Sequence, residues 1–154
     1  MTPSPTVIGY HVWQLKTDGY LWSIGGNSPD RWEPGAWLRA RCADPFPPNR
    51  HPSGGPVPHP DCTCGIHLPW ALPDLDSGWI LTLKPDKILV FGRAEGTGQR
   101  EVALDTDLTY VPPRVAGWRV ELARPTELLF ARPKTDLTAT AQLYAVPLRP
   151  FMAH

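Results

Sequence analysis

No apolar run in the 154-residue sequence approaches the roughly 20 residues that a membrane-crossing helix needs. The opening stretch, MTPSPTVIGYHVWQ, has no basic segment followed by an apolar one, which argues against a secretory leader. An excess of either charge is also missing: 15 Lys and Arg balance 15 Asp and Glu. A domain that grips nucleic acid through its phosphates normally carries a basic surplus, so nucleic acid is disfavoured as a partner. Cysteine is scarce. Three thiols are an odd number for a disulfide framework, and the expected compartment is the cytoplasm, where thiols stay reduced.

What the chain does have is apolar residues (42%), 20 prolines and seven tryptophans. The apolar share marks a globular chain, and the length suits one domain over 1–154, ordered from about residue 6 to about 150. The prolines favour short strands and fixed loops over helix. VIGYHVWQL and YLWSI, separated by Thr17-Asp18-Gly19, read as a β-hairpin. WEPGAWLRARC begins with a Pro-Gly turn and continues as a strand, with Trp37, Arg39 and Arg41 on one face and Leu38, Ala40 and Cys42 on the other. GWILTLK and KILVFGRAE flank Pro85-Asp86 and suggest a second hairpin; EGTG is a further turn, and REVALDTDLTYVP a further strand. GWRVELA alternates, with Trp118, Val120 and Leu122 opposite Arg119 and Glu121. TDLTATAQLYAV switches to helical spacing, with Thr135 or Asp136 placed to cap it and Pro147 to stop it. The expected fold is mainly β (α+β): a curved antiparallel sheet or partly open barrel with one short C-terminal helix.

The chemistry concentrates between Cys42 and His67, which holds every cysteine and three of the five histidines in a stretch dense with Pro and Gly. A long irregular loop in a compact domain needs something to hold it. Zn2+ takes four Cys or His ligands in a tetrahedron, and structural sites are closed by protein ligands alone. Cys62 and Cys64 stand one residue apart, Gly65 permits the tight turn after them, and Cys42 ends the preceding strand. The fourth ligand is His51, His59 or His67. His51 is favoured, because it lies mid-loop, whereas Pro58 and Pro60 stiffen His59 and His67 opens an apolar segment. Two other readings compete: small buried thiols, or a reactive thiol such as Cys64 beside His67 or His59.

Trp13, Trp79 and Trp118 fall within strand patterns and belong to a core. Trp32, Trp37 and Trp70 lie near loops or share a face with arginines and are candidates to line a pocket or an interface with a protein partner or small ligand; Trp37 with Arg39 and Arg41 is the best single patch for a partner or anion. Glu33, Asp61, Asp74 and Asp76 lack a catalytic spacing. EGTG lacks the lysine and helix of a phosphate-binding loop.

The order Trp32-x-Pro-Gly35, Ala40-x-Cys42, Pro60-Asp-Cys-Thr-Cys-Gly-Ile66, Gly117-Trp-Arg-x-Glu-x-Ala123 and Leu143-Tyr-x-Val-Pro147 resembles a family of small proteins from actinobacteria and their phages or mobile elements. The chain departs from that pattern at His67-Leu68, where Ile66 would be followed by Tyr-Ala, and in a lengthened loop ahead of the cysteine pair. The resemblance implies a cysteine-centred site and names no reaction. The functions weighed are a zinc-stabilised binding module, an enzyme with a catalytic zinc or thiol aided by Glu33 or Asp61, and a nucleic-acid binder using Arg39, Arg41, Arg50 and Arg119.

Overall fold

The computed structural model describes residues 5–24, 30–40, 65–72, 87–98, 100–102 and 116–149. Eight strands are present among them: β1 (Val7–Leu15), β2 (Leu21–Ser23), β3 (Leu38–Arg39), β4 (Ile66–Pro69), β5 (Ile88–Thr97), β6 (Arg100–Val102), β7 (Gly117–Val120) and β8 (Leu122–Arg132). One helix, α1 (Thr138–Tyr144), follows them. A five-stranded sheet runs in the order β2-β1-β5-β8-β3, and a three-stranded sheet in the order β4-β7-β6. All the strand pairings are antiparallel, and the whole is a curled half-barrel, mainly β with one short C-terminal helix, as the sequence implied.

The β1–β2 hairpin forms where the Asp-Gly signal places it. Gly19 takes a φ of 81°, and the Asp18 carboxylate accepts a hydrogen bond from the Tyr20 amide at 2.9 Å. The hairpin expected at Pro85-Asp86 lies outside the described residues, as does Trp79; its second half is β5. β5 sits between β1 and β8 and pairs with both along almost its whole length.

GWRVELA is not one strand. The chain changes sheet at Glu121, so that β7 belongs to the small sheet and β8 to the large one. The partner ribbon does the same between Thr97 and Arg100: β5 pairs with β8 as far as Thr97 opposite Leu122, and β6 pairs with β7 from Arg100 opposite Arg119. One two-stranded ribbon therefore turns a corner, a common way for strands to pass from one packed sheet to another. Gly98 makes the corner possible. Its φ is 68°, and a Cβ there would stand 2.8 Å from the Glu121 Cβ.

Two register shifts interrupt the β5–β8 ladder, between Phe91 and Gly92 and between Arg93 and Ala94. They leave Leu129 and Thr126 as extra residues on β8. Each extra residue reverses the alternation, which is why the inward side chains Ala123, Leu128 and Ala131 do not follow a two-residue period. The far edge of β8 is blunted by Pro125, by the two residues of β3 and by the chain after α1. There the Leu128 amide donates to the Pro147 carbonyl at 3.0 Å, and the Arg149 amide to the Leu128 carbonyl at 2.8 Å.

The main core lies on the inner face of the large sheet, where Trp13, Leu21, Val90, Ala94 and Leu128 meet Trp32, Leu68, Val120 and the Leu137, Ala141 and Tyr144 side chains at the C-terminal end. A smaller cluster of Val12, Leu89 and Phe91 lies on the opposite face, with Phe130 stacked on Phe91 at 4.7 Å. The N-cap of α1 is Leu137, which makes no side-chain cap bond, rather than Thr135 or Asp136; the Asp136 carboxylate, one residue earlier, accepts from the Thr138 amide at 3.0 Å. The helix closes at Ala145, which adopts a left-handed φ of 53° while the amides of Ala145 and Val146 bond back to Gln142 and Ala141.

Candidate functional site

The proline- and glycine-rich segment joins β3 to β4, and the described residues at its two ends are anchored on the same corner. The Ala40 amide donates to the Glu121 carbonyl at 2.7 Å, and Ile66 pairs with Val120. Val120 and Glu121 are consecutive. With about 5 Å across each backbone pairing and about 3.8 Å along the chain, Ala40 and Ile66 stand no more than about 15 Å apart by Cα. Gly65, at a φ of 112°, turns the returning chain into β4. Cys42, His51, His59, Cys62 and Cys64, together with Arg41, Arg50, Asp61, Asp74 and Asp76, lie outside the described residues. Among the described residues no group of three or more His, Cys, Asp or Glu side chains is placed to hold a metal ion.

The aromatic and basic patch divides. Trp32 is not a surface residue: it is 1% exposed, its indole donates to the Ser23 hydroxyl at 2.8 Å, and its ring meets Trp13 edge-on at 5.5 Å. Its position beside a Pro-Gly turn suggested a surface, but the turn folds the ring inward against the hairpin. Trp37 is half-buried beneath the Arg124 guanidinium, 4.4 Å from the ring centre, and Arg124 also pairs with Glu95. Arg39 pairs with Glu121 and its side chain remains 65% exposed. Trp70 is 44% exposed and leans edge-on against Trp118 at 5.9 Å. Arg39 and Trp70 thus flank the two ends of the loop, one just before it and one just after.

Arg119 departs from the expected basic face. It is 7% exposed and lies opposite His67 across the β4–β7 pairing. Other arginines are matched by acid: Arg93 with Glu127 at 3.2 Å, Arg149 with Glu127 at 3.1 Å, and Arg31 with Glu33 at 2.6 Å. The last pair occupies Glu33, the carboxylate considered as a general base.

A residue with no motif around it meets β4 from the large sheet. His11, on β1, has its ring 5.0 Å from both Trp13 and Trp32. Its Nδ1 donates to the His67 carbonyl at 2.9 Å, joining the large sheet to the small one; a carbonyl can only accept, so this nitrogen carries the proton. Burial of the ring pushes its pKa down to about 4 from the ordinary 6.5. The bond to the carbonyl opposes that fall, and the neighbouring His67 side chain adds to it. Alternation along β1 places His11 on the inner face with Gly9 and Trp13, which is the signal that could have found it.

Comparison of the chain with protein-family models, curated proteins and solved structures finds no match.

Proposed function

We propose that the protein is a small binding module whose irregular loop is held by Zn2+ on Cys42, Cys62, Cys64 and His51. The surface at the loop's base, with Trp37, Arg39, Arg41 and Trp70, takes a protein partner or small ligand. The observation that carries this reading is the shared anchorage of Ala40 and Ile66 on consecutive residues of one corner. Two residues of extended chain reach about 7 Å on either side, so Cys42 and Cys64 are within range of a common ion. Three thiolates and one imidazole suit zinc better than a hard cation, and such a closed set is structural rather than catalytic. A metal on reduced thiols fits a cytoplasmic protein. Pairing of Arg31, Arg39, Arg93, Arg124 and Arg149 with carboxylates, together with zero net charge, weighs against a phosphate-binding face.

The test is substitution of the paired thiols. Cys62→Ser and Cys64→Ser are each expected to lose bound zinc and to lower the melting temperature by roughly 10 °C, because metal binding and folding are linked. Wild-type zinc content and melting in both variants would refute the reading.

A further inference from the structure

We infer that the outer face of the large sheet is a docking track for an extended acidic segment of a partner protein. The inference rests on the partner-binding half of the reading above, whose surface it shares at Trp37 and Arg39, and is independent of the metal. Strand register sets three rows across this face at two-residue intervals of β5. In the first, Thr97 lies opposite Leu122, and Leu122 opposite Arg39 of β3. Ile8, Glu95 and Arg124 form the second row, and Tyr10, Arg93 and Glu127 the third. At about 3.3 Å per residue, the rows stand about 7 Å apart. Each row carries a guanidinium held by a carboxylate: Arg39 by Glu121, Arg124 by Glu95, and Arg93 by Glu127 at 3.2 Å. Arg149 meets the other oxygen of Glu127 at 3.1 Å. In every one of these pairs the arginine is the outer partner. The four arginine side chains are 44–70% exposed, the three glutamate side chains 13–42%. The carboxylates lie beneath the guanidiniums, so the face presents positive charge outward although the whole chain is neutral. Two of the guanidiniums are also fixed over rings, Arg93 over Tyr10 at 4.9 Å and Arg124 over Trp37 at 4.4 Å, so little freedom is lost when an anion docks. Ile8, in the middle row, is the most exposed large apolar side chain among the described residues and offers apolar surface beside the track. An extended peptide with an acid at every second position sets one carboxylate on one face about every 7 Å, the spacing of the rows. Duplex nucleic acid carries a charge about every 1.7 Å and would place phosphates over the glutamates as well as the arginines.

The experiment is fluorescence anisotropy at low salt with a labelled peptide of alternating glutamate and threonine, on wild type, Arg39→Glu, Arg149→Glu and Arg31→Glu. Arg39 and Arg149 are the two most exposed arginines of the track and stand at its two ends, so reversing them changes its charge with least effect on the fold. Arg31, opposite Trp22 at the other end of the sheet and paired with Glu33, carries the same charge change away from the track. Wild type is expected to bind the peptide with an affinity that falls as salt rises. Each track variant is expected to bind roughly tenfold more weakly, and Arg31→Glu within roughly twofold of wild type. A peptide of the same composition with its glutamates in one block binds wild type more weakly, a comparison that needs no variant to fold. Absence of binding by wild type, equal affinity in the track variants and Arg31→Glu, or a block peptide that binds as well as the alternating one would each overturn the inference. So would tighter binding of duplex DNA or oligothymidylate, which would assign the face to nucleic acid. Dimers of the peptide-free chain that Arg149→Glu dissociates would also overturn it, by assigning the face to a second copy. Zinc content of the same samples reports on the loop separately: a wild-type chain that binds the alternating peptide and no zinc would refute the metal reading while supporting this one.

Discussion

β1 covers its inner face in opposite ways at its two ends. At Trp13 the strand presents a ring that is fully buried among Trp32, His11 and the hairpin, and α1 seals that end through Tyr144. Four residues earlier on the same face stands Gly9, with Ala94 opposite it on β5. There the large sheet is nearly bare, and the small sheet lies directly on the backbone through Leu68. The large end is filled by side chains and the small end by another sheet. His11 occupies the boundary, edge-on to Trp13 and tilted against Trp32 at one end and bonded to the strand that covers the other. Size alternation along one strand thus decides which partner covers which part of the sheet.

The two ends should fail differently. Trp13→Ala removes the largest ring of the wide end and is expected to cost about 4 kcal/mol, read as a lower urea midpoint, because the surrounding rings cannot collapse into the space. Acidification acts on the boundary. A histidine held near a pKa of about 4 is neutral in the fold but takes up protons near 6.5 when unfolded. Its contribution is therefore full above pH 6.5, declines as pH falls towards 4, and levels off below. The loss reaches at most about 3 kcal/mol, and His11→Phe should flatten that part of the stability profile. At the narrow end Gly9→Ala drives a methyl into the Leu68 backbone and is expected to cost about 2 kcal/mol, with amide exchange rising first in β4. Tyr144→Phe is the mildest, at about 1.5 kcal/mol. It leaves the Leu21 amide and the Trp32 carbonyl without their hydroxyl partner and should show as a small melting shift.

Much of this was legible before any coordinates. The Asp18-Gly19 hairpin, the strand at KILVFGRAE and the helix after Asp136 each carry a local signal, a turn dipeptide, a dense apolar run or a helical spacing, and each forms; the expected cap at Thr135 or Asp136 does not, because the N-cap is Leu137. β8 is the counterexample. Pro125 interrupts its pattern, and the extra residues Thr126 and Leu129 reverse its alternation twice, so an 11-residue strand gives no steady period. The corner at Glu121 was hidden because a strand that changes sheets keeps its local alternation. Trp32 was misplaced because a Pro-Gly turn says where the chain bends and not which side chain the bend turns inward. Of the site, the cysteine and histidine spacing was visible in the residues. The common anchorage of Ala40 and Ile66 was not, because it depends on pairing with residues about 50 to 80 positions further along the chain.

The proposed convergence of the loop on one ion is tested most directly by zinc X-ray absorption on the purified wild-type chain. The expected spectrum shows one zinc per chain with three sulfur neighbours at about 2.3 Å and one nitrogen at about 2.0 Å. A spectrum of oxygen and nitrogen neighbours alone, or a chain that retains no zinc, would contradict it.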